Sequence, residues 1–163
     1  LDAETHLTAS SFSGSRPDGL QKLIVYQNPG GGGHGSHLII YLENAHGRAV
    51  GYYGFYPSRR AAGEGGGKKE PGGEGWVKFH DLPHPKATKS QDVYINPDQL
   101  KEIRKRINKS RLRYMDDRGT PYSIKSYNCA TWAANILSDL IGTADADKVR
   151  TPRQLRQLLD GSQ

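Results

Sequence analysis

A single cysteine, Cys129, stands among 163 residues. One thiol excludes an intrachain disulfide and a cysteine-based zinc cluster. No His-x-Glu segment accompanies a Pro-Cys-x-x-Cys, so zinc deaminase chemistry is excluded as well. The glycine run at 30–33 lacks the lysine of a Walker-type phosphate loop. Long apolar stretches are missing: none approaches the roughly 18–20 residues that cross a bilayer as a helix. The opening Leu1-Asp2-Ala3-Glu4-Thr5-His6 has neither the basic start nor the apolar centre of a signal peptide. It also lacks an initiating methionine, as expected of a processed form or of a domain taken from a larger chain.

Apolar residues make up 34% of the chain, and the mean hydropathy of −0.75 is low for a compact fold. The twenty glycines explain part of this, because they cluster in two loops. The length predicts one domain, residues 1–163, large enough to bury a core. A net charge of +6 favours anionic surroundings such as cell wall, membrane surface or nucleic acid, without choosing among them.

Residues 1–19 are polar and rich in Ser and Gly, an irregular lead-in. Leu23-Ile24-Val25-Tyr26 predicts a short strand. His37 to Glu43 is continuously apolar from Leu38 to Leu42, the pattern of a central strand covered on both faces. After a turn at 44–48, Ala49 to Tyr56 returns as the second arm of a hairpin. Residues 58–75 are a Gly-rich, low-complexity loop. Trp76 to His80 and Asp92 to Ile95 predict two more strands.

Asn96-Pro97-Asp98-Gln99 is a helix start, with a cap, a proline at the first helical position and Gln three residues past the cap. Leu100, Ile103 and Ile107 give that helix an apolar stripe. Its basic residues at 101, 104, 105, 106 and 109 point mostly to solvent. A last helix starts at Thr151-Pro152-Arg153-Gln154, buries Leu155, Leu158 and Leu159, and stops at Gly161. The order predicts an α+β domain: a small antiparallel sheet against a cysteine-bearing helix and two further helices.

Apolar side chains at 129, 132, 133, 136, 137 and 140 mark one face of the cysteine helix. Asn128 is its expected N-cap, so Cys129 opens it. A thiol there meets the positive end of the helix dipole and free N–H groups, which favour a thiolate and a developing oxyanion. Such a nucleophile needs a base, and the base needs a group to orient it. Six histidines are available. His6, His46 and His84 fall in loops, and His34 lies within the glycine run. His37, at the mouth of the most apolar strand, is the one a rigid element would hold. His34, His37 and His80 have no spacing that supports a metal site, and no cofactor is implied.

Gly35-Ser36-His37-Leu38-Ile39-Ile40-Tyr41-Leu42-Glu43, followed by a turn and Tyr53-Gly54-Phe55-Tyr56-Pro57, resembles the histidine hairpin of circularly permuted papain-like (NlpC-type) cysteine hydrolases. Tyr122-Ser123 and Tyr127-Asn128-Cys129-Ala130-Thr131-Trp132-Ala133 resemble the cysteine helix start of the same family. The histidine strand leads the cysteine by 92 residues, the permuted order. The matching segments, about 35–57 and 91–140, cover under half the chain.

The resemblance implies a permuted papain-like fold with Cys129 as nucleophile, its N–H in the oxyanion hole, and His37 as general base. For the group that orients His37, His80 ranks ahead of Asp81, with Glu43 and Asn44 further off at the far end of the hairpin. Tyr127, Tyr122 and Asn128 are candidates to complete the oxyanion hole or orient the site.

Enzymes of this type proceed through an acyl-enzyme. The expected function is a peptidoglycan amidase or peptidase serving as an antibacterial effector toxin. It would be carried by a system such as type VI secretion, act in the target periplasm, and have a possible immunity protein. The alternatives are a cysteine protease or deamidase acting on a cytosolic protein, and a non-enzymatic basic module bound through 101–113 and Lys68-Lys69. Nucleic acid is disfavoured as a partner because stacking aromatics are missing from the basic segments, apart from Tyr114.

Overall fold

The computed structural model describes residues 19–30, 37–57, 75–115 and 128–161. Most of the expected 1–19 lead-in and 58–75 loop, together with His6, His34, Tyr122 and Tyr127, lies outside the described residues.

Six strands come first: β1 (Gln21–Asn28), β2 (His37–Glu43), β3 (Ala49–Pro57), β4 (Gly75–Phe79), β5 (Thr88–Lys89) and β6 (Val93–Ile95). They form one antiparallel, open sheet in the order β4-β3-β2-β1-β5, with β6 also on β1. The first four strands follow one another as a meander. After β4 the chain returns to the opposite edge, where β5 and β6 act as one interrupted strand. Ser90, 2% exposed, sits in the interruption. Its N–H donates to the Val25 carbonyl at 2.8 Å, and its hydroxyl accepts from the Val25 N–H at 3.0 Å. A side chain thus completes the ladder where the backbone breaks.

Strand β2 is central, and all of its residues after His37 are buried. Its alternate residues serve two layers. Leu38, Ile40 and Leu42 join Leu23, Val25, Tyr53 and Phe55 in the main core, whereas His37, Ile39 and Tyr41 fall on the other face by the two-residue period.

Five helices are present among the described residues: α1 (Pro97–Met115), α2 (Cys129–Ile136), α3 (Ser138–Ile141), α4 (Thr143–Lys148) and α5 (Pro152–Gly161). Leu100, Ile103 and Ile107 bury the expected stripe of α1, and Leu155 and Leu159 that of α5. Helix α2 has seven of its eight residues buried. Trp132, fully buried, stacks on Phe55 with ring centroids 5.6 Å apart and donates from its indole nitrogen to Ser110 Oγ at 3.2 Å.

Two short helices stand where the sequence suggested a single face running on to Leu140. The cause is Arg106, which leaves the solvated row of α1. Its guanidinium donates to the Asn135 and Ile136 carbonyls, to Ser138 Oγ at 2.9 Å, and to Asp139 Oδ2 at 2.7 Å. Carbonyls at the end of α2 are satisfied by that fork rather than by another helical turn. Among the described residues, no helix is long and apolar enough to cross a membrane.

Candidate active site

His37 is the first residue of β2, opposite Asn28 of β1. In the neighbouring ladder Ile39 pairs with Gly54, so two residues further along each strand His37 and Tyr56 come to face each other. Their rings stack, with centroids 4.1 Å apart and planes inclined by 30°. The imidazole is therefore held by a strand below and an aromatic ring beside it.

Beyond β4 the backbone turns sharply. His80 has φ of 60°, the left-handed region that non-glycine residues enter at a cost. The turn sends His80 into solvent and brings Asp81 in, where its N–H donates to the Tyr52 carbonyl at 3.0 Å. Asp81 is 4% exposed. His37 Nε2 lies 3.0 Å from Asp81 Oδ2, and the Tyr56 hydroxyl lies 2.9 and 2.8 Å from the two carboxylate oxygens. Lys78 Nζ adds a longer contact at 3.9 Å.

Gly54 lies beneath this group. A Cβ there would run into Asp81 Oδ2 and stand 2.7 Å from His37 Nε2. Absence of a side chain at 54 is what lets the carboxylate and the ring meet over the strand.

Cys129, 4% exposed, opens α2. Asn128 caps it: its Oδ1 accepts from the Ala130 and Thr131 N–H groups at 2.9 and 3.1 Å, while the Asn128 N–H donates to Thr131 Oγ1 at 2.7 Å. The Cys129 N–H is left as the first-turn donor that the cap does not use. The cap is tied in place by Asn128 Nδ2, which donates to the Arg150 carbonyl at 2.9 Å.

The Cys129 side chain acts on the His37 ring and favours its charged form. Nε2 is committed to Asp81, which leaves Nδ1 for a second partner. Burial of the ring disfavours its charged form. The hydrogen bond to Asp81 and the interaction with Cys129, with the charges of both groups, outweigh burial and push the His37 pKa up to about 9. The arrangement can hold a positive ring between a carboxylate and a sulfur at neutral pH. Chemically, that is an imidazole carried on a rigid strand and bonded to a carboxylate, near a thiol at a helix start.

Two expected positions are corrected by this geometry, and a third has another task. Asp81, not His80, meets His37. Strand parity would put His80 on the same face as His37, but the left-handed turn reverses that placement. Glu43 lies six residues along β2 from His37, roughly 20 Å at strand spacing. It accepts from the Tyr41 hydroxyl at 2.6 Å and pairs with Lys22 at 3.5 Å. Asn128 is engaged at both ends of its amide as the helix cap. His46 is exposed in its turn, and His84 holds a loop, its N–H donating to Asn28 Oδ1 at 2.9 Å.

Gly54 stands in the sequence only as part of the Tyr-Gly-Phe-Tyr-Pro motif, and Tyr56 also as one of the polar side chains of the returning strand. Their usable signal was parity, since both share the His37 face. Among the described residues, no group of three or more His, Cys, Asp and Glu side chains is placed to hold a metal ion. Compared with protein-family models, with curated proteins and with solved structures, the chain finds no match.

Proposed function

We propose that this chain is a thiol hydrolase of the permuted papain-like kind, with Cys129 as nucleophile, His37 as base and acid, and Asp81 as the group that orients His37. The observation that carries the reading is one imidazole held 3.0 Å from the Asp81 carboxylate, with the Cys129 side chain acting on the same ring to favour its charged form. These residues come from a strand, a post-strand turn and a helix start, separated by 44 and 48 residues of sequence.

The steps follow from the placement. The Cys129 sulfur, its proton held by His37, attacks an amide carbonyl, and the developing oxyanion takes the Cys129 N–H. His37 passes its proton to the leaving amine, which departs as the C–N bond breaks and the acyl-enzyme remains. His37 then removes a proton from water, the resulting hydroxide opens the thioester, and the proton returns to the sulfur as the acid leaves. Asp81 orients the ring and offsets the charge on it. Tyr56 fixes the carboxylate and packs the ring.

The substrate in this proposal is an amide in peptidoglycan, and the setting is an antibacterial effector delivered to the target periplasm, with an immunity protein as natural partner. The positive net charge suits an anionic wall. Purified sacculi incubated with the protein should release soluble peptide-bearing fragments carrying new amine and carboxyl ends, read by mass spectrometry. Cys129→Ser should release none. Intact sacculi, together with a mass gain of about one dalton on a glutamine-bearing protein, would replace this substrate with protein deamidation; inertness of the wild type toward both would defeat the hydrolase reading.

A further inference from the structure

A second site lies near the other end of the sheet. Gln21, at the start of β1, and one side of α1 line an open groove of about 770 Å³ that also includes Leu100 and Pro97. Its wall carries Lys101, Arg104, Lys105, Asn108 and Lys109. Those positions follow i, i+3, i+4, i+7 and i+8, so they form one stripe of the helix, roughly 12 Å long at 1.5 Å per residue. All five are exposed.

Their neighbour Arg106 shows what α1 does with a cation used for folding: it is held by Glu102, Asp139 and the end of α2. Among the described residues, Lys101, Arg104, Lys105 and Lys109 lie in no salt bridge, although all four share the groove. Like charges gathered on one concave wall repel each other and raise the local concentration of anions. Gln21 adds an independent sign. Its Oε1 is buried and, among the described residues, has no hydrogen-bond partner. A buried acceptor in that condition is relieved by a donor brought in with a ligand.

We propose that this groove binds a single chain of an anionic, hydroxyl-bearing polymer of the polyol phosphate type. Phosphates would lie along the lysine and arginine stripe, and a hydroxyl would donate to Gln21. No aromatic side chain lines the groove among the described residues, so bases have nothing to stack on. The assignment rests on α1 and β1, not on Cys129. Gln21 and Asn28 lie at opposite ends of β1, which puts the groove roughly 23 Å along the strand from the His37 end.

Calorimetric titration of the full chain with a defined glycerol phosphate oligomer tests this. Three phosphate contacts at about −0.7 each in the log–log salt slope predict a roughly 20-fold loss of affinity between 50 and 200 mM salt. Lys101→Gln with Lys105→Gln should weaken binding roughly tenfold or more, whereas Lys148→Gln, outside the groove, should not. Gln21→Met should erase the preference for the polyol phosphate over inorganic polyphosphate, which has no hydroxyl between its phosphates. Cys129→Ser should bind as the wild type does, and a wild type that binds the polymer yet hydrolyses nothing would count against the thiol chemistry alone. Binding that ignores salt or the Lys101/Lys105 exchange would overturn the site. Oligo-dT bound as tightly as the polyol phosphate would overturn the ligand in favour of nucleic acid.

Discussion

Two buried carboxylates flank the same face of β2 and β3, one toward each end, and each is bonded by a tyrosine hydroxyl. Toward one end Tyr41 donates to Glu43, whose other oxygen meets Lys22. At the opposite end Tyr56 donates to Asp81, which also meets His37 at 3.0 Å and, more distantly at 3.9 Å, the half-exposed Lys78. Burial and a tyrosine hydroxyl are common to both. What differs is the third partner. A lysine keeps its proton across the neutral range, so the Glu43 cluster is a fixed pair that anchors strands. An imidazole can give its proton up and take it back, and here it faces a sulfur. A buried carboxylate is therefore structural or reactive according to the group it orients.

The largest test of this contrast is activity. Cys129→Ser or His37→Ala should lower hydrolysis at least about a thousandfold, as expected for parts that act as one unit. Glu43→Gln should leave the rate within about twofold while costing roughly 1–3 kcal/mol of stability, measured by chemical denaturation. Equal rate losses at the two ends would erase the distinction.

Asp81→Asn comes next. It should cost about 100- to 10,000-fold in kcat, because the ring loses its orienting acceptor. The His37 ring, followed by NMR, should titrate well below its present value of about 9, since its first supporting hydrogen bond is gone. Gly54→Ala should lower activity at least roughly tenfold with the fold retained, as the added methyl displaces Asp81 from the ring. Tyr56→Phe should cost less, roughly 5- to 30-fold for about 1–2 kcal/mol, while Tyr41→Phe should leave the rate alone.

The smallest effect is on stability against pH. The His37 pKa is raised on folding, so its contribution is fully present below about 6.5 and is lost as pH rises through about 9. Denaturation midpoints should fall across that window, and His37→Gln should flatten that slope.

Much of this was legible in the chain. The apolar run from Leu38 to Leu42 announces a strand buried on both faces, and β2 is that strand. Asn128 before an apolar helix announces a cap, and it caps α2 through a full capping box. Cys129 and His37 could each be singled out because each stands at the edge of a strongly patterned element. Asp81 was legible only as second choice behind His80, because its place depends on one backbone angle at His80 that no glycine or asparagine marks. The break between α2 and α3 was not legible, since it depends on Arg106 reaching across from another helix. Local pattern writes the elements; single long side chains and single unusual dihedrals decide where they stop and what they present.

The central claim concerns the ring between the carboxylate and the sulfur. Alkylation of Cys129 by iodoacetamide, followed from pH 5 to 9.5, tests it most directly. Modification should be slowed strongly by His37→Ala and left unchanged by His84→Ala. A rate at Cys129 indifferent to the loss of His37 would show that the ring and the sulfur do not work together.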